Sequence, residues 1–544
     1  MLCNTTGRRR MRIIVPAYPA FNVYSGVARK TTALGPVCVA SSIAELGGWD
    51  AEVIDENNYR RYGPRDEAGQ PDHAALQQTR PVQVVGFYGG LTSTVPRIHL
   101  LARAYKKMGV VTVAGGQHFA GENLREALQN GIDYVILGEG EETIQELLCV
   151  LERHGLPGPE HAGEGILAPS REVSEVKGLA YLRDGEVVCT PPRPPLTDFD
   201  KLPLPNFSLV RYAKIKIYPV SRIRGCGMNC EFCTVKGQPR WATPERLLEQ
   251  ISFLLETRDA RRFFIVDDLF GQQRAETLRF CRLLRDYQKE VGRALDLTVQ
   301  IRLDKAKDTE LLTAMREAGI NTLAIGFESP VPEELQAMNK HLNAEEMLAL
   351  SRIYHRAGFL MHGMFIFGYP MQEALELKTP VAERVKAYER FIRLAQLDTV
   401  QVLLPIPLPG TELRERLGRQ GRLFPVEEVG WEYYDGNFPL FEPDRPFTVE
   451  ELRGAVRRLM GRFYRFHYMF LIGVNILSFP LLVFFLRNLK LGWGLWYRRW
   501  YTYLQRFGGW LLLRRWINAP NQGQFNEKLK KLKEMGLLGA KERA

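Results

Sequence analysis

Three cysteines lie close together in a chain that otherwise has few. Cys226, Cys230 and Cys233 fall within eight residues, whereas the other cysteines are scattered. Three thiolates on one short loop can hold three irons of a cubane [4Fe-4S] cluster and leave the fourth iron open. A structural zinc site normally needs four protein ligands, and no further Cys or His stands close by in sequence. The spacing therefore favours an iron–sulfur cluster over zinc.

The cysteine loop follows a strand pattern in the second half of the chain. Six apolar strand patterns alternate with helical patterns between Ile217 and about Gly410, and the cysteines come directly after the first strand. Six β/α units predict a partial (β/α)6 barrel, in which residues at the carboxyl ends of the strands carry the chemistry. We therefore expect the cysteines at that end of the barrel.

Polar residues also follow the next three strands of this series. The second strand ends in Asp267 and Asp268, the third is followed by Arg302 and Asp304, and the fourth by Glu328 and Ser329. An Asp or Ser after a strand often only caps the next helix. Their shared position beside the cysteine loop instead favours a common ligand site.

The first part of the chain has a second α/β pattern. Short apolar strands alternate with helices from Arg12 to about His154, which predicts right-handed βαβ units on a doubly wound parallel sheet of flavodoxin or Rossmann type. Ligands bind beyond the carboxyl ends of such strands. Glycines stand at three of these ends and would let a large flat or phosphate-bearing ligand approach the backbone: Gly89, Gly90, Gly115, Gly116, Gly138 and Gly140. A single glycine pair would predict only an ordinary turn.

The cysteine loop resembles the signature of the radical S-adenosylmethionine (SAM) superfamily, CxxxCxxC with an aromatic residue before the last cysteine, here Phe232. The resemblance implies that SAM chelates the open iron and is cleaved to a 5'-deoxyadenosyl radical, with Phe232 packed on the adenine. The strand HGMFIFGYP resembles the family's adenine-side strand, although Gln372 stands where a Glu is common. The SAM contacts implied in this way are Asp267, Asp268, Arg302, Glu328, Ser329, Gly363 and Gly368.

The first α/β region resembles the cobalamin-binding domain that precedes many radical SAM domains. Its segments ALGPVCVASSIAELG, FYGGLTST, AGGQHF and ILGEGEET fit that pattern, but the chain has no DxHxxG motif to supply a His ligand to cobalt. For His118 we favour a structural role, or a supporting role behind the residues that touch the cofactor, over cobalt ligation. The resemblance implies the following cobalamin contacts: Leu34, Gly35, Gly89, Gly90, Thr92, Gly115, Gly116, Gln117, His118, Gly138, Glu139 and Gly140.

These patterns predict an α/β protein with four regions. They are a cobalamin-binding-like domain (11–155), a Pro-rich linker with a small hairpin (156–212), the radical SAM partial barrel (213–450) and a helical, basic C-terminal region (451–544). The few scattered cysteines predict a reducing, cytoplasmic setting, and the first residues do not have the pattern of a secretory signal.

The C-terminal region combines apolar and basic segments. Residues 466–486 contain no Asp, Glu, Lys or Arg, and the segment from Arg487 onward has 13 Lys and Arg against three Glu, a net charge of +10 out of +11 for the chain. Mixed Trp, Tyr and Arg after the apolar run favour contact with the membrane surface through 466–516, at the inner face of the cytoplasmic membrane. The alternative is a buried helix covering the open side of the barrel. A nucleic-acid partner is disfavoured because the aromatic residues accompany Leu and Phe runs.

The resemblance implies radical abstraction of hydrogen from an unactivated carbon, followed by methylation of that carbon. The apolar C-terminal segment favours a hydrophobic substrate such as a lipid or isoprenoid-like metabolite. The alternatives are a radical cyclase or carbon–carbon coupling enzyme and, less favoured, a non-catalytic cobalamin or redox sensor. The expected protein partner is a low-potential electron donor such as a flavodoxin or ferredoxin.

Overall fold

The computed structural model of the protein describes residues 8–19, 22, 25–154, 156, 171–340, 343–372, 379–477 and 490–538, with the backbone alone for 490–495. The structural statements below concern these residues. They form two sheets of parallel character, followed by a largely helical C-terminal region.

The first sheet has the strand order β7-β6-β5-β4-β3-β1-β2-β8. Its core is parallel, and the direction of winding reverses between β1 and β3, which is where ligands bind in doubly wound sheets. The strands are β1 (Arg9–Val15), β2 (Trp49–Asp55), β3 (Val84–Tyr88), β4 (Val111–Gly115), β5 (Tyr134–Ile136), β6 (Leu179–Arg183), β7 (Glu186–Cys189) and β8 (Val210–Arg211). The helices are α1 (Ser25–Ala28), α2 (Leu34–Ala44), α3 (His73–Thr79), α4 (Val95–Lys107), α5 (Asn123–Gln129) and α6 (Gly140–His154).

The segment between the two α/β regions contributes to this sheet. The predicted hairpin forms as β6 and β7 around Asp184 and Gly185, both of which have positive φ as an Asp-Gly turn requires. It pairs antiparallel with β5, and β8 pairs with β2 at the opposite edge. The hairpin and β8 therefore cover both edges of the parallel core.

The second sheet confirms the predicted partial barrel. Six parallel strands follow the order β16-β15-β14-β13-β12-β9, and within the described residues no sheet closes on itself. The strands are β9 (Tyr218–Val220), β12 (Arg262–Phe270), β13 (Asp296–Ile301), β14 (Ile320–Glu328), β15 (Leu360–Ile366) and β16 (Thr399–Leu403), with a separate ribbon of β10 (Ile223–Arg224) and β11 (Arg240–Trp241). The helices are α7 (Pro244–Arg258), α8 (Arg274–Glu290), α9 (Thr309–Glu317), α10 (Pro332–Ala337), α11 (Ala344–Arg356) and α12 (Val381–Leu394).

The C-terminal region contains a long helix that lies across the amino ends of the barrel strands. Arg498 on this helix donates to the carbonyl of Phe359, just before β15, and Thr502 Oγ1 donates to Asp398 Oδ1 at 2.7 Å, just before β16. The helices here are α13 (Glu412–Arg419), α14 (Val426–Val429), α15 (Val449–Phe463), α16 (His467–Leu477), α17 (Lys490–Ile517), which is the long helix, and α18 (Pro520–Glu534). The barrel is thus covered at the end opposite to the one where chemistry was predicted.

The apolar run 466–486 lies only partly within the described residues. Its first part forms α16, and residues 478–486 fall outside. None of the helices in the described ranges is long and apolar enough to cross a membrane.

A buried ion pair lies between α10 and α12. Glu334 pairs with Arg384, and both side chains are fully buried. Glu334 also accepts a hydrogen bond from Tyr388 Oη at 2.7 Å. Removing one partner would leave an uncompensated charge in the core, which is strongly destabilising.

We therefore expect Glu334→Ala to lower the free energy of unfolding by about 3–5 kcal/mol. Urea unfolding followed by circular dichroism measures the change. Lys386→Gln, at an exposed position of α12, is the control and should leave stability unchanged. Equal stability of the Glu334 variant and the control would contradict the prediction.

Candidate active site

Two carboxylates at the end of β12 hold the start of the cysteine loop. Asp267 Oδ1 accepts hydrogen bonds from the main-chain N–H groups of Arg222 at 2.6 Å and Ile223 at 2.8 Å. Asp268 Oδ2 accepts from the N–H of Gly225 at 2.7 Å. The backbone just before Cys226 is therefore fixed by side chains of the neighbouring strand.

An arginine at the start of the loop connects it to the N-terminal domain. Arg224 donates to Glu139 Oε1 at 2.8 Å and to Glu141 Oε1 at 2.6 Å. Arg240, on the paired strand β11, donates to the other oxygen of Glu139 at 2.7 Å. Although burial opposes the effect, these two arginines hold the pKa of Glu139 below its ordinary value. The ion pairs fix the strand ends of the first sheet against the cysteine loop.

A further charged contact holds the cysteine loop against the segments that follow β15 and β16. Glu231, between Cys230 and Phe232, is buried and accepts from Arg416 Nε at 2.5 Å and from Tyr369 Oη at 2.6 Å. Arg416 lies on α13 and Tyr369 follows β15. The loop is therefore fixed by contacts to both sides of the barrel.

The three thiols lie half-buried on this loop. Burial raises the pKa of Cys226 and of Cys233, and the neighbouring thiols raise both further. Among the described residues, no three His, Cys, Asp or Glu side chains are grouped as ligands of one metal ion. A cubane places each thiolate on a different iron, and three half-buried thiols on one loop could supply three such ligands.

Several of the predicted SAM residues lie beside the loop. The ring of Phe232 packs against Tyr369 at 6.0 Å between centroids, and Arg302 Nη1 lies 3.2 Å from Met228 Sδ. Glu328, at the end of β14 with φ of +63°, pairs with Lys340 at 3.2 Å. Burial acts to lower the pKa of Lys340, but Glu328 and Cys230 raise it overall. A cation thus lies close to the cysteines.

Three other predicted SAM residues are engaged in packing. Ser329 is fully buried and donates to Glu334, while its Oγ accepts from the N–H of Val331 at 2.9 Å. A Cβ at Gly363 would meet Leu397, and one at Gly368 would meet Leu452. These residues support the walls of the barrel, and Ser329 stabilises the turn that leads into α10.

A cavity of about 450 Å³ lies between the first sheet, α2, α6 and the start of the cysteine loop. Most of its wall is apolar, and Asp268 and Arg224 reach it from the barrel. Six of the predicted cobalamin residues line it: Leu34, Gly35, Gly115, Gly116, Gly138 and Gly140. The absence of side chains at these glycines keeps the cavity open, which fits a bulky cofactor group.

The other predicted cobalamin residues lie outside this cavity. A Cβ at Gly116, whose φ is +120°, would come within 3 Å of the backbone of Gly89 and Gly90, so the three glycines pack against one another. Gln117 Oε1 instead accepts from Thr234 Oγ1 of the cysteine loop at 2.8 Å. This contact joins the two domains at the carboxyl ends of their strands.

His118 is buried between the domains. Its ring packs edge-on against Trp431 at 4.8 Å, and its Nδ1 lies 3.3 Å from Thr92 Oγ1. Burial lowers the pKa of His118 to about 3, so the imidazole is neutral. These contacts hold the ring between Thr92 and Trp431.

Comparison with family models identifies both domains. Residues 26–148 match the B12 binding domain, and residues 220–378 match the radical SAM superfamily. Together with the parallel sheets and the cysteine loop, these matches define a radical SAM protein with a preceding B12-binding domain.

Named relatives support this assignment. An uncharacterised methyltransferase of Pyrococcus horikoshii is 26% identical over 84% of this chain and 92% of its own length. The anaerobic magnesium-protoporphyrin IX monomethyl ester cyclase of Rubrivivax gelatinosus is 25% identical over 69% of this chain and 65% of its own. The hopanoid C-2 methylase of Rhodopseudomonas palustris is 31% identical over 42% of each chain. The chain thus spans less than two thirds of the last two relatives.

A solved structure has the same fold. The radical S-adenosylmethionine methyltransferase TsrM from Kitasatospora setae, with cobalamin and a [4Fe-4S] cluster bound, has a TM-score of 0.58 at 16% identity and covers 76% of this chain and 78% of its own. This likeness concerns the fold, and the two domain matches are what indicate the cofactors. The protein's cofactors are a [4Fe-4S] cluster, SAM and cobalamin, as the sequence predicted.

The residues that position the loop were not all predicted from the sequence. Arg224 and Glu231 stand beside or inside the cysteine motif. Their charges indicate that the loop needs oppositely charged partners elsewhere in the fold. Their partners Glu141 and Arg416 lie 83 and 185 residues away along the chain. Nothing local in the sequence identifies such partners.

Asp267 predicts a pH dependence of stability. Burial raises its pKa from 3.8 to about 6, so the folded chain holds this proton more tightly than the unfolded chain does. The stabilisation is therefore present at low pH and is lost as the pH rises from about 4 to about 6. Asp267→Asn cannot ionise and should gain stability relative to wild type over this interval, measured by urea midpoints. Asp66→Asn, which removes an exposed carboxylate, is the control, and parallel profiles for wild type and Asp267→Asn would contradict the expectation.

Proposed function

We propose that this enzyme methylates an unactivated carbon of a hydrophobic, lipid or isoprenoid-like metabolite. In this proposal Cys226, Cys230 and Cys233 hold the [4Fe-4S] cluster. Phe232, Asp268, Arg302 and Glu328 line the SAM site, and the glycine-lined cavity holds part of the cobalamin. When bound, the cluster and SAM supply a carbon-centred radical, and cobalamin supplies the methyl group.

The observation that carries the proposal is the contact between the cavity and the cysteine loop. Asp268 holds Gly225 of the loop and also lines the cavity, and Arg224 both precedes the cysteines and pairs with Glu139 and Glu141. Methylation by two cofactors requires that both reach one substrate carbon. Asp268 and Arg224 contact both the cavity and the cysteine loop, which supports a placement of the two cofactors next to each other.

The protein's own residues would act mainly by positioning. Asp267, Asp268 and Glu231 fix the loop, and the ion pairs of Arg224 fix the cavity against it. Such fixed groups order the cofactors and substrate and exclude water, while the cofactors carry the difficult chemistry. This division explains why no acid–base pair is required from the chain.

The hydrophobic substrate is supported by two observations. One relative is named a hopanoid C-2 methylase. In addition, α16 exposes large apolar side chains: Phe470 is 72% exposed and Leu477 is 79% exposed. We propose that this surface contacts the inner face of the cytoplasmic membrane and keeps the enzyme near a lipid substrate, and that a flavodoxin or ferredoxin supplies electrons.

A second candidate is a radical cyclase or carbon–carbon coupling enzyme. It is supported by the relative named as an anaerobic magnesium-protoporphyrin IX monomethyl ester cyclase. Such an enzyme would use the same cofactors but would not consume SAM as a methyl donor. The two candidates therefore differ in their products from SAM.

Product analysis tests the choice. Methylation should yield both 5'-deoxyadenosine and S-adenosylhomocysteine from anaerobic protein with reconstituted cluster, cobalamin, SAM, a low-potential reductant and a panel of lipid substrates. Cys230→Ala should lose both products together with cluster iron, while Cys149→Ala, at an exposed cysteine outside the loop, should keep them. Deoxyadenosine alone would support cyclisation or coupling, and neither product from protein with an intact cluster would count against both candidates.

The cobalamin assignment makes a separate prediction. A Cβ at Gly35 would lie in ordinary contact with Tyr88, at 3.8 Å, so Gly35→Leu can extend into the cavity without a backbone clash. We expect this variant to bind much less cobalamin, measured by absorbance of the isolated protein, with its iron content unchanged. Gly47→Leu, at an exposed glycine with no atom within 4 Å of its Cβ position, should bind like wild type. Undiminished binding by Gly35→Leu would refute the assignment.

A further inference from the structure

A second large cavity, of about 750 Å³, lies at the amino ends of the barrel strands, away from the cysteine loop. Residues of five helices (α11, α12, α15, α16 and α17) line it, together with the turns before β16 and after α15. Six arginines line its wall: Arg393, Arg462, Arg465, Arg498, Arg499 and Arg506. Two carboxylates, Glu389 and Asp398, are the acidic residues of the lining, which leaves an excess of four positive charges.

Both carboxylates are already engaged. Glu389 pairs with Arg462 at 2.5 Å. Asp398 accepts from Thr502 at 2.7 Å and from the N–H of Met361 at 2.9 Å, with Arg498 at 3.6 Å. Neither carboxylate is free to neutralise the remaining arginines.

Four of the six arginines are engaged within the protein, since Arg462 pairs with Glu389, Arg465 donates to the carbonyl of Arg462, and two more hold a helix. Arg498 and Arg506 donate to main-chain carbonyls before β15 and β16 and hold α17 in place. The side chains of Arg393 and Arg499, in contrast, make no hydrogen bond or ion pair with any described residue. These two guanidinium groups are available to an anion in the cavity.

Two histidines respond to the same positive field. Burial lowers the pKa of His355, and Arg498 lowers it further. Burial likewise lowers the pKa of His467, with further contributions from Arg465 and Arg506. The arginines that disfavour protonation of these two histidines would attract an anion in the cavity.

An exposed apolar surface begins at the rim of this cavity. His467 and Tyr468, in the first turn of α16, line the cavity. The outer face of the same helix, with the residue before it, exposes Phe466, Met469, Phe470, Val474 and Leu477. The cavity and the apolar face together match a molecule with an anionic head and a hydrocarbon tail. Arginine is well suited to the head because its planar fork binds phosphate oxygens.

We propose that this cavity binds the phosphate headgroup of an anionic lipid while the apolar face of α16 enters the acyl region. This inference rests on the proposed membrane contact and adds to it a defined headgroup site. The site lies at the opposite end of the barrel from the cluster, so it anchors the enzyme and takes no part in the chemistry.

Vesicle flotation of the full-length protein tests the proposal. Wild type should bind phosphatidylglycerol-containing vesicles more tightly than phosphatidylcholine vesicles. Arg393→Gln/Arg499→Gln should lose about 30-fold of the affinity for the anionic vesicles, since each basic residue near the surface contributes about 1 kcal/mol. Its binding to phosphatidylcholine should equal that of wild type. Because these two side chains have no hydrogen-bond or ion-pair partner among the described residues, the melting temperature should not change.

Controls separate the site from general charge attraction. Lys107→Gln/Lys289→Gln removes the same charge from exposed positions on α4 and α8 and should keep the wild-type preference. Equal losses in the two double variants would overturn the headgroup site while leaving membrane contact intact. Failure of wild type to bind vesicles of either composition would overturn the membrane contact itself.

Free phosphate is the competing source of the anion. Inorganic phosphate is titrated into the protein calorimetrically and added to the flotation assay. Displacement from anionic vesicles only at phosphate concentrations far above those of the lipid supports a lipid headgroup. Tight phosphate binding that is lost in Arg393→Gln/Arg499→Gln, with no vesicle preference in wild type, would overturn the lipid assignment in favour of a soluble phosphate.

Discussion

The carboxylates of Asp267, which is buried, and Asp268, which is half-buried, are the contacts on which the cysteine loop depends. After β9 the chain passes into the β10–β11 ribbon, where the N–H groups of Arg222, Ile223 and Gly225 point toward β12. Buried N–H groups must be paired, and the two side chains at the end of β12 accept from all three. Burying the Asp267 carboxylate is unfavourable because it is removed from water, and its pKa is raised as a result. A loop held in this way presents its cysteines in a defined arrangement before any cluster is bound.

The same loop determines how the two domains meet. Arg224 at its start pairs with Glu139 and Glu141 of the first domain, and Glu231 at its centre pairs with Arg416 of the C-terminal part of the barrel. Each of these charges is partly or fully buried, and a buried charge that loses its partner is strongly destabilising. The ion pairs therefore favour one relative placement of the glycine-lined cavity and the cysteines. Chemistry that uses two cofactors on one carbon needs such a fixed placement.

Much of the architecture could be predicted because its signals are local. Alternating apolar strands and helices predicted both sheets, Asp-Gly predicted the β6–β7 turn, and the cysteine spacing predicted the cluster loop. Other features depend on residues far apart in sequence. The sequence did not reveal that the hairpin pairs with β5, because any exposed strand edge could accept it. Nor did it reveal that Ser329 turns toward Glu334, since a Ser after a strand can face a ligand or cap a helix.

The basic C-terminal region illustrates the limit of charge as a predictor. Counted along the chain, its arginines form one positive tail. In the fold they separate by task, because Arg498 and Arg506 satisfy carbonyls at the amino ends of β15 and β16, while the Arg499 side chain has no hydrogen-bond or ion-pair partner among the described residues. Buried main-chain carbonyls before a strand need hydrogen-bond donors, whether or not the protein binds a membrane. Part of the tail's charge is therefore required for folding, and only the remainder is available to a membrane. This division places attachment at one end of the barrel and the cofactors at the other, so a change to the attachment surface can leave the geometry of the cysteine loop intact.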